Sequence, residues 1–305
     1  MEDYIPVRLK TLRPDSSVNF DLYIKVGTRF VHYIRDQDPI DSERIVSLKS
    51  KKVRKLFIPF DHEQKYLTYL DTGLDLLDSD DLPIEAKAEM VHDTMITSAE
   101  NVEKALDTEE GFKQTQDRFG KITDFLLKDS GALKNILMAA GTSLDNHHHA
   151  ATVSSMALGL AAAQKELSSI EMLELGIAAL VHDIGKNKLP FDPMTPVSEL
   201  RGEDLIRYRK HAADSVDLLA GKPYISPRIL SLVGDHEEIG KGQGFPNKKN
   251  YFRLKLPFQI LNLCNAYDRF CFERKITHAE GIEEFGTTEL EHFDQKLFEL
   301  LSTLA

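Results

Sequence analysis

The chain has 305 residues, 42% hydrophobic and 29% charged, with a net charge of −11 at neutral pH. That length accommodates two domains of ordinary size, and no apolar run reaches the ~18 residues that a membrane-spanning helix needs. Residues 1–60 hold twelve Lys+Arg against eight Asp+Glu, which leaves −15 on the remainder; so acidic a body excludes a non-specific DNA binder, which needs a broad basic face.

The opening MEDYIPVRLK begins with acids and lacks an apolar stretch, so no secretory signal is expected. The segments "YIPVRLKTL", "NFDLYIKV", "RFVHYIRD" and "VRKLFIPF" are short, β-branched or aromatic, and separated by turn residues, which predicts strands. Between them "DSERIVSLKSKK" opens on an Asp-Ser cap and predicts a short helix. From about residue 61 the apolar period becomes 3.6, and a succession of amphipathic helices follows to the C-terminus. One of them, "SSIEMLELGIAALVHDIGKNKLP", has a serine start and a Gly-Lys-x-x-x-Pro stop. The chain therefore reads as mainly α. Residues 1–80 form a small α+β accessory or regulatory domain and 81–305 an all-helical bundle, with Leu82-Pro83 as linker. Cys264 and Cys271 lie two helical turns apart, about 10 Å, too far for a disulfide. A reducing, cytoplasmic setting is expected.

Four histidines stand out: His149, His182 beside Asp183, His211 and His236, each on or at the end of a predicted helix. His182 and Asp183 close an apolar run, where a buried imidazole and carboxylate are costly unless paired or bound to metal. Imidazoles with a carboxylate and no cysteine suit Fe, Mn, Zn or Ni in a helical-bundle core rather than structural zinc, and a carboxylate can bridge two ions. His32, His62, His92, His278 and His292 read as ordinary core or capping residues. Of the run 146–149, NHHH, only one or two imidazoles can face inward, since neighbours on a helix are ~100° apart. The stretch 235–250, DHEEIGKGQGFPNKKN, is too polar for core. It is either a solvated loop or the lip of a site that handles charge. It is no Walker loop.

The ordered set, with "HDIGK" at 182–186, resembles the HD superfamily of metal-dependent phosphohydrolases. The rest, over about residues 140–280, resembles its HD-GYP branch, the bacterial cyclic-di-GMP phosphodiesterases. On that resemblance His149 in "HAATV", the pair His182-Asp183, His211 in an H-x-x-x-S helix, Asp235, His236 and Asn265 would hold two metal ions, iron first and manganese second. Asp183 would bridge them. Lys186 would neutralise the scissile phosphate, Phe245 would meet substrate, and Arg274 would stand for the substrate-facing arginine. The sequence departs from the pattern at four places: Asp235 replaces a histidine, Asn265 an aspartate, Phe245 the motif tyrosine, and the loop carries Lys241 near an acidic position. Asp268, one turn from Asn265, is a substitute ligand. Asp145 stands where members with a third metal carry a glutamate. Losing the tyrosine hydroxyl removes one hydrogen bond, about 0.5–1.5 kcal/mol net. The resemblance implies an enzyme that hydrolyses cyclic-di-GMP. The cluster of departures also fits a protein that keeps metal and nucleotide binding without turnover and signals to a protein partner through residues 1–80. Another HD-type phosphohydrolase is a remoter reading.

Overall fold

The computed structural model describes residues 4–129, 131–142 and 145–304. The N-terminal part runs β1 (Tyr4–Arg8), β2 (Ser16–Ser17), β3 (Leu22–Val26), β4 (Arg29–Ile34), β5 (Pro39–Ile40), α1 (Ser42–Ser50), β6 (Lys55–Pro59) and α2 (Glu63–Leu74). Four strands make an antiparallel sheet in the order β1-β6-β3-β4, and β2 pairs with β5. The pairing of Tyr4 with Pro59 and of Leu22 with Ile34 fixes which residues face inward. Val7, Leu22, Ile34, Leu56 and Ile58 are buried with Phe20, Tyr66 and Tyr69. α1 starts as the sequence predicts: the Asp41 carboxylate accepts the Arg44 N–H at 2.7 Å.

The rest is helical: α3 (Ile84–Glu100), α4 (Val102–Ala105), α5 (Glu109–Lys128), α6 (Ala132–Ala140), α7 (Asn146–Gln164), α8 (Ser169–Val181), α9 (Gly202–Leu219), α10 (Pro227–Gly234), α11 (Leu256–Arg274), α12 (His278–Thr288) and α13 (Gln295–Leu304). The chain is mainly α, with a small α+β part at its N-terminus. By contacts it separates into two compact units, residues 1–97 and 98–305, and the division falls inside α3.

Within the second unit α7 is the central rod. Its residues from His149 to Ala162 are all buried, and the alanine-rich composition is the reason: short side chains let α5, α6, α8, α11 and α13 pack on it from every side. α8 begins with a capping box, in which Ser168 and Glu171 satisfy each other's backbone N–H. α10 has Ser226 as cap and Pro227 in its first turn. Accurate helix starts matter here because the chemistry sits at the opposite ends, just beyond the last turns of α8 and α10.

Candidate metal centre

Five segments deliver polar side chains to one buried point. α7 gives His149 in its first turn; Asp145 caps that helix by accepting the N–H groups of His147 and His148 at 3.0 and 2.9 Å. His182 and Asp183 follow α8, His211 lies mid-way along α9, His236 follows α10, and Asn265 lies on α11. All six are buried.

The imidazoles are held in one sense. Nδ1 of His182, His211 and His236 each faces the carbonyl three residues back, Ala179 O at 2.7 Å, Tyr208 O at 2.5 Å and Val233 O at 2.6 Å. Nδ1 of His149 faces Asp268 Oδ2 at 2.6 Å. Each partner is an acceptor, so the proton of each neutral ring sits on Nδ1 and Nε2 presents a lone pair. Those lone pairs meet: His149 Nε2 and His182 Nε2 are 3.2 Å apart, and His211 Nε2 and His236 Nε2 are 3.0 Å apart. Between the pairs lies Asp183. Its Oδ2 is 3.5 and 3.3 Å from the first pair of nitrogens, and its Oδ1 is 3.1 and 3.4 Å from the second. Neither oxygen accepts a hydrogen bond of ordinary geometry among the described residues; Lys186 Nζ faces Oδ2 at 2.6 Å as an ion pair.

Two acceptors pointing at each other across 3 Å in a dry interior repel, and only a cation or an extra proton relieves them. The donor atoms of His149, His182 and Asp183 fall within 4.8 Å of one another, as do those of Asp183, His211 and His236. The residues therefore fit metal: two groups of nitrogen and oxygen donors share one carboxylate, and the second ring nitrogens are fixed by outer partners as metal-bound histidines require. Protonation is the poorer alternative, because burial pushes His236 down to about 4. Burial alone would raise the Asp183 carboxyl; His182 and Lys186 overcome it and hold it well below the usual carboxylate range.

A second layer surrounds the first. Asp268 also faces His278 Nε2 at 2.7 Å, so His278 belongs to the network rather than to bland core. Glu237 lies on the other side, its Oε1 3.7 Å from His211 Nε2 and 3.9 Å from His236 Nε2. Arg269 Nη1 donates to Glu237 at 2.5 Å and to the Tyr208 hydroxyl at 2.7 Å. Burial would raise Glu237, but the Arg269 guanidinium keeps it ionised. Tyr208 donates to Glu237 at 3.3 Å, and Lys186 Nζ stands 5.2 Å over the Tyr208 ring.

Two close approaches hold this together. Gly185 lies where any Cβ would sit 2.3 Å from the His211 carbonyl oxygen. Ser215, one turn after His211, accepts the Gly185 N–H at 2.8 Å and donates to the His182 carbonyl at 2.7 Å. The H-x-x-x-S spacing thus docks α9 on the turn that carries His182 and Asp183. Gly244 does the same for the 235–250 loop, since a Cβ there would sit 2.3 Å from the Glu237 carbonyl oxygen. Phe245 then packs edge-on to His211 and Tyr208 at ring separations of 5.8 and 6.1 Å.

The structure brings His149, His182, Asp183, Lys186, His211, His236 and Asn265 together; Asn265 Oδ1 is 3.1 Å from His149 Nε2. It corrects several other expectations. Asp235 is turned away from the imidazoles: as the cap of α10 its carboxylate takes Lys249 Nζ at 2.6 Å and Asn247 Nδ2 at 3.3 Å, and so pins the loop. Lys249 of the polar 235–250 stretch is thereby paired with Asp235. Arg274 is 46% exposed and paired with Glu284 at 2.8 Å; nine residues after Asn265 it points ~180° away around α11, whereas Arg269 is only ~40° off. Asp268 supports His149 from behind and does not substitute for Asn265. Asp145 is committed to capping α7. Glu237, Tyr208 and Arg269 were not among the expected site residues. Only Glu237 had a signal, as the residue after His236.

Small openings flank the centre. One of about 10 Å³ lies directly over it, bordered by His149, Lys186, Tyr208, Arg269, Met194 and Phe272. It shares Met194, Thr195 and Phe272 with a cavity of about 610 Å³, and Tyr208 and Arg269 with one of about 310 Å³ that Glu237 and Phe245 also line.

A helical bundle whose histidines and single shared aspartate converge in this way defines a class, and comparison with known proteins agrees. The HD domain family is matched over residues 133–297. The chain belongs to that family. A solved structure, Bd1817, an HDG"Y"P protein from Bdellovibrio bacteriovorus, superposes with a TM-score of 0.79 at 25% identity, over 99% of each chain. The Cyclic di-GMP phosphodiesterase PA4108 of Pseudomonas aeruginosa is 24% identical over 199 residues, 64% of this chain. The chain spans about half the length of that curated relative, 47% of it.

Asp268→Asn is expected to lower metal retention or turnover roughly 10–100-fold, the usual cost of losing an outer carboxylate behind a ligating histidine. Metal-to-protein ratios after dialysis check this; ratios and rates equal to wild type would mean that Asp268 does not tune His149.

Proposed function

We propose that this chain is a metal-dependent phosphodiesterase that hydrolyses cyclic-di-GMP, to pGpG, GMP or both, in bacterial second-messenger signalling. The observation that carries the reading is the Asp183 carboxylate, with each oxygen turned to its own pair of imidazole lone pairs. His149 and His182, with Asn265 beside them, would hold one ion; His211 and His236 would hold the other; Asp183 would serve both. The proposed metal is iron, with manganese second. Bound there, the ions would polarise a phosphoryl oxygen and make water acidic enough to attack near neutral pH. The protein's own share is positioning and charge. Lys186, kept protonated by Asp183 against the pull of burial, would offset charge on the scissile phosphate. Phe245 would offer a ring face to a base. Burial of the whole set keeps bulk water from competing for Asp183. The relative named as a cyclic-di-GMP phosphodiesterase supports the substrate class. Among the described residues no helix is long and apolar enough to cross a membrane; we place the protein in the cytoplasm, with the N-terminal unit as the part that meets a protein partner.

A second reading, binding without turnover, rests on one observation: the opening over the centre is about 10 Å³, room for about one water and too small for a phosphate. Chromatography of metal-loaded protein with cyclic-di-GMP and with pGpG separates the two. Product formation is expected. Heat of binding without product favours the second reading, and neither heat nor product sinks both.

A further inference from the structure

We propose that Arg269 is the phosphate-binding cation of this site, working beside Lys186 and doing what the exposed Arg274 is not placed to do; the inference rests on the phosphodiester reading above. Arg269 borders the opening over the centre together with His149, Lys186 and Tyr208, and also borders the larger cavity beside Phe245. Its guanidinium is half committed. Nη1 donates to both Glu237 and the Tyr208 hydroxyl, while Nε and Nη2 make no hydrogen bond among the described residues, and the side chain is 23% exposed. A guanidinium presents a planar fork of donors suited to two oxygens of one phosphate. Here Nη1 is fixed by protein, and the side chain borders the cavity with Glu273 one turn further along the same helix.

The rest of the arrangement stiffens that fork. Glu237 Oε1 lies between Arg269 and the His211–His236 pair, so the guanidinium is one carboxylate removed from the candidate ions. Tyr208 joins the two cations, with Lys186 over its ring and Arg269 on its hydroxyl. The Tyr208 and Phe245 rings are 6.1 Å apart, edge to face. Glu237 and Tyr208 are positioning residues in this scheme, and Arg269 and Lys186 are the groups that touch the phosphate.

Calorimetry of the metal-loaded full chain with cyclic-di-GMP tests this on Arg269→Ala, Arg269→Lys and Arg274→Ala, with metal content measured on each. Arg269→Ala is expected to raise Kd roughly tenfold to a hundredfold, the loss of charge-assisted hydrogen bonds. Arg269→Lys restores part of the affinity, and Arg274→Ala stays within about twofold of wild type. Because Arg269→Ala strands a buried carboxylate, the paired Arg269→Gln/Glu237→Gln protein removes both charges; it should melt near wild type and still bind weakly. Wild-type affinity in Arg269→Ala, or in a folded double variant, overturns the assignment. So does a loss of metal with unchanged affinity per loaded site. If wild type takes no cyclic dinucleotide but binds pyrophosphate with a Kd that depends on Arg269, the substrate reading falls and the assignment stands; if it binds neither, both fall.

Discussion

Asp183→Ala is expected to empty both metal positions and to lower turnover by about 10³-fold or more, since the several kcal/mol that two-metal stabilisation supplies convert at 1.36 kcal/mol per tenfold. The expectation follows from which atoms it removes. His149→Ala would take one nitrogen from one group, whereas Asp183 gives Oδ2 to the first group and Oδ1 to the second. A second effect is separable from catalysis. Lys186 is buried and faces Asp183 at 2.6 Å, so the alanine variant leaves an ammonium without its counter-ion. Breaking a buried pair on one side costs about 3–5 kcal/mol. In chelator-treated protein, where the ions no longer contribute, that loss should show as a lower urea midpoint. Adding Lys186→Met should restore much of the midpoint and none of the metal. A single Asp183→Ala protein that keeps a wild-type metal ratio would refute the bridging role.

The same centre shows what a sequence can and cannot express. His149, His182, His211 and His236 were legible because each lies at a helix end or on a strongly periodic helix, and their order along the chain restricts how the helices meet. The caps were legible too, Asp41 and Ser168 among them, since capping is a local agreement between one side chain and the backbone a turn ahead. Direction was the harder part. Asp235 precedes His236 by one residue, yet faces Lys249 instead of an imidazole; a helix end fixes position and leaves the rotamer to its neighbours. Arg274 and Arg269 share a helix, and only the phase relative to Asn265 separates a surface ion pair from a residue at the centre. Tyr208 and Arg269 carried no signal, because their meaning lies in meeting Glu237, 29 and 32 residues away in sequence. The division between residues 97 and 98 was equally silent, since α3 runs through it without a proline, a glycine or a change of period.

Gly185→Ala should damage both the fold and the metal centre, although it adds only a methyl group. A methyl group at this position would lie 2.3 Å from the His211 carbonyl oxygen, 2.6 Å from the Ser215 nitrogen and 2.8 Å from its Oγ. Two of these are backbone atoms of α9, so no rotamer change makes room, and the helix itself must move away. Overpacking of this kind costs about 1–3 kcal/mol. It also breaks the clamp by which Ser215 joins the Gly185 N–H to the His182 carbonyl. Since α9 carries His211, the second donor group opens while His149 and His182 keep their places on α7 and after α8. The variant is therefore expected to unfold at lower urea and to retain about half the wild-type metal. Gly244→Ala makes a contrast: its clash is with the backbone of 237–239, so it should disturb Phe245 and Glu237, and hence ligand affinity, before it disturbs metal. Should Gly185→Ala match wild type in both midpoint and metal ratio, α9 would not be the rigid carrier of His211 that this packing makes it.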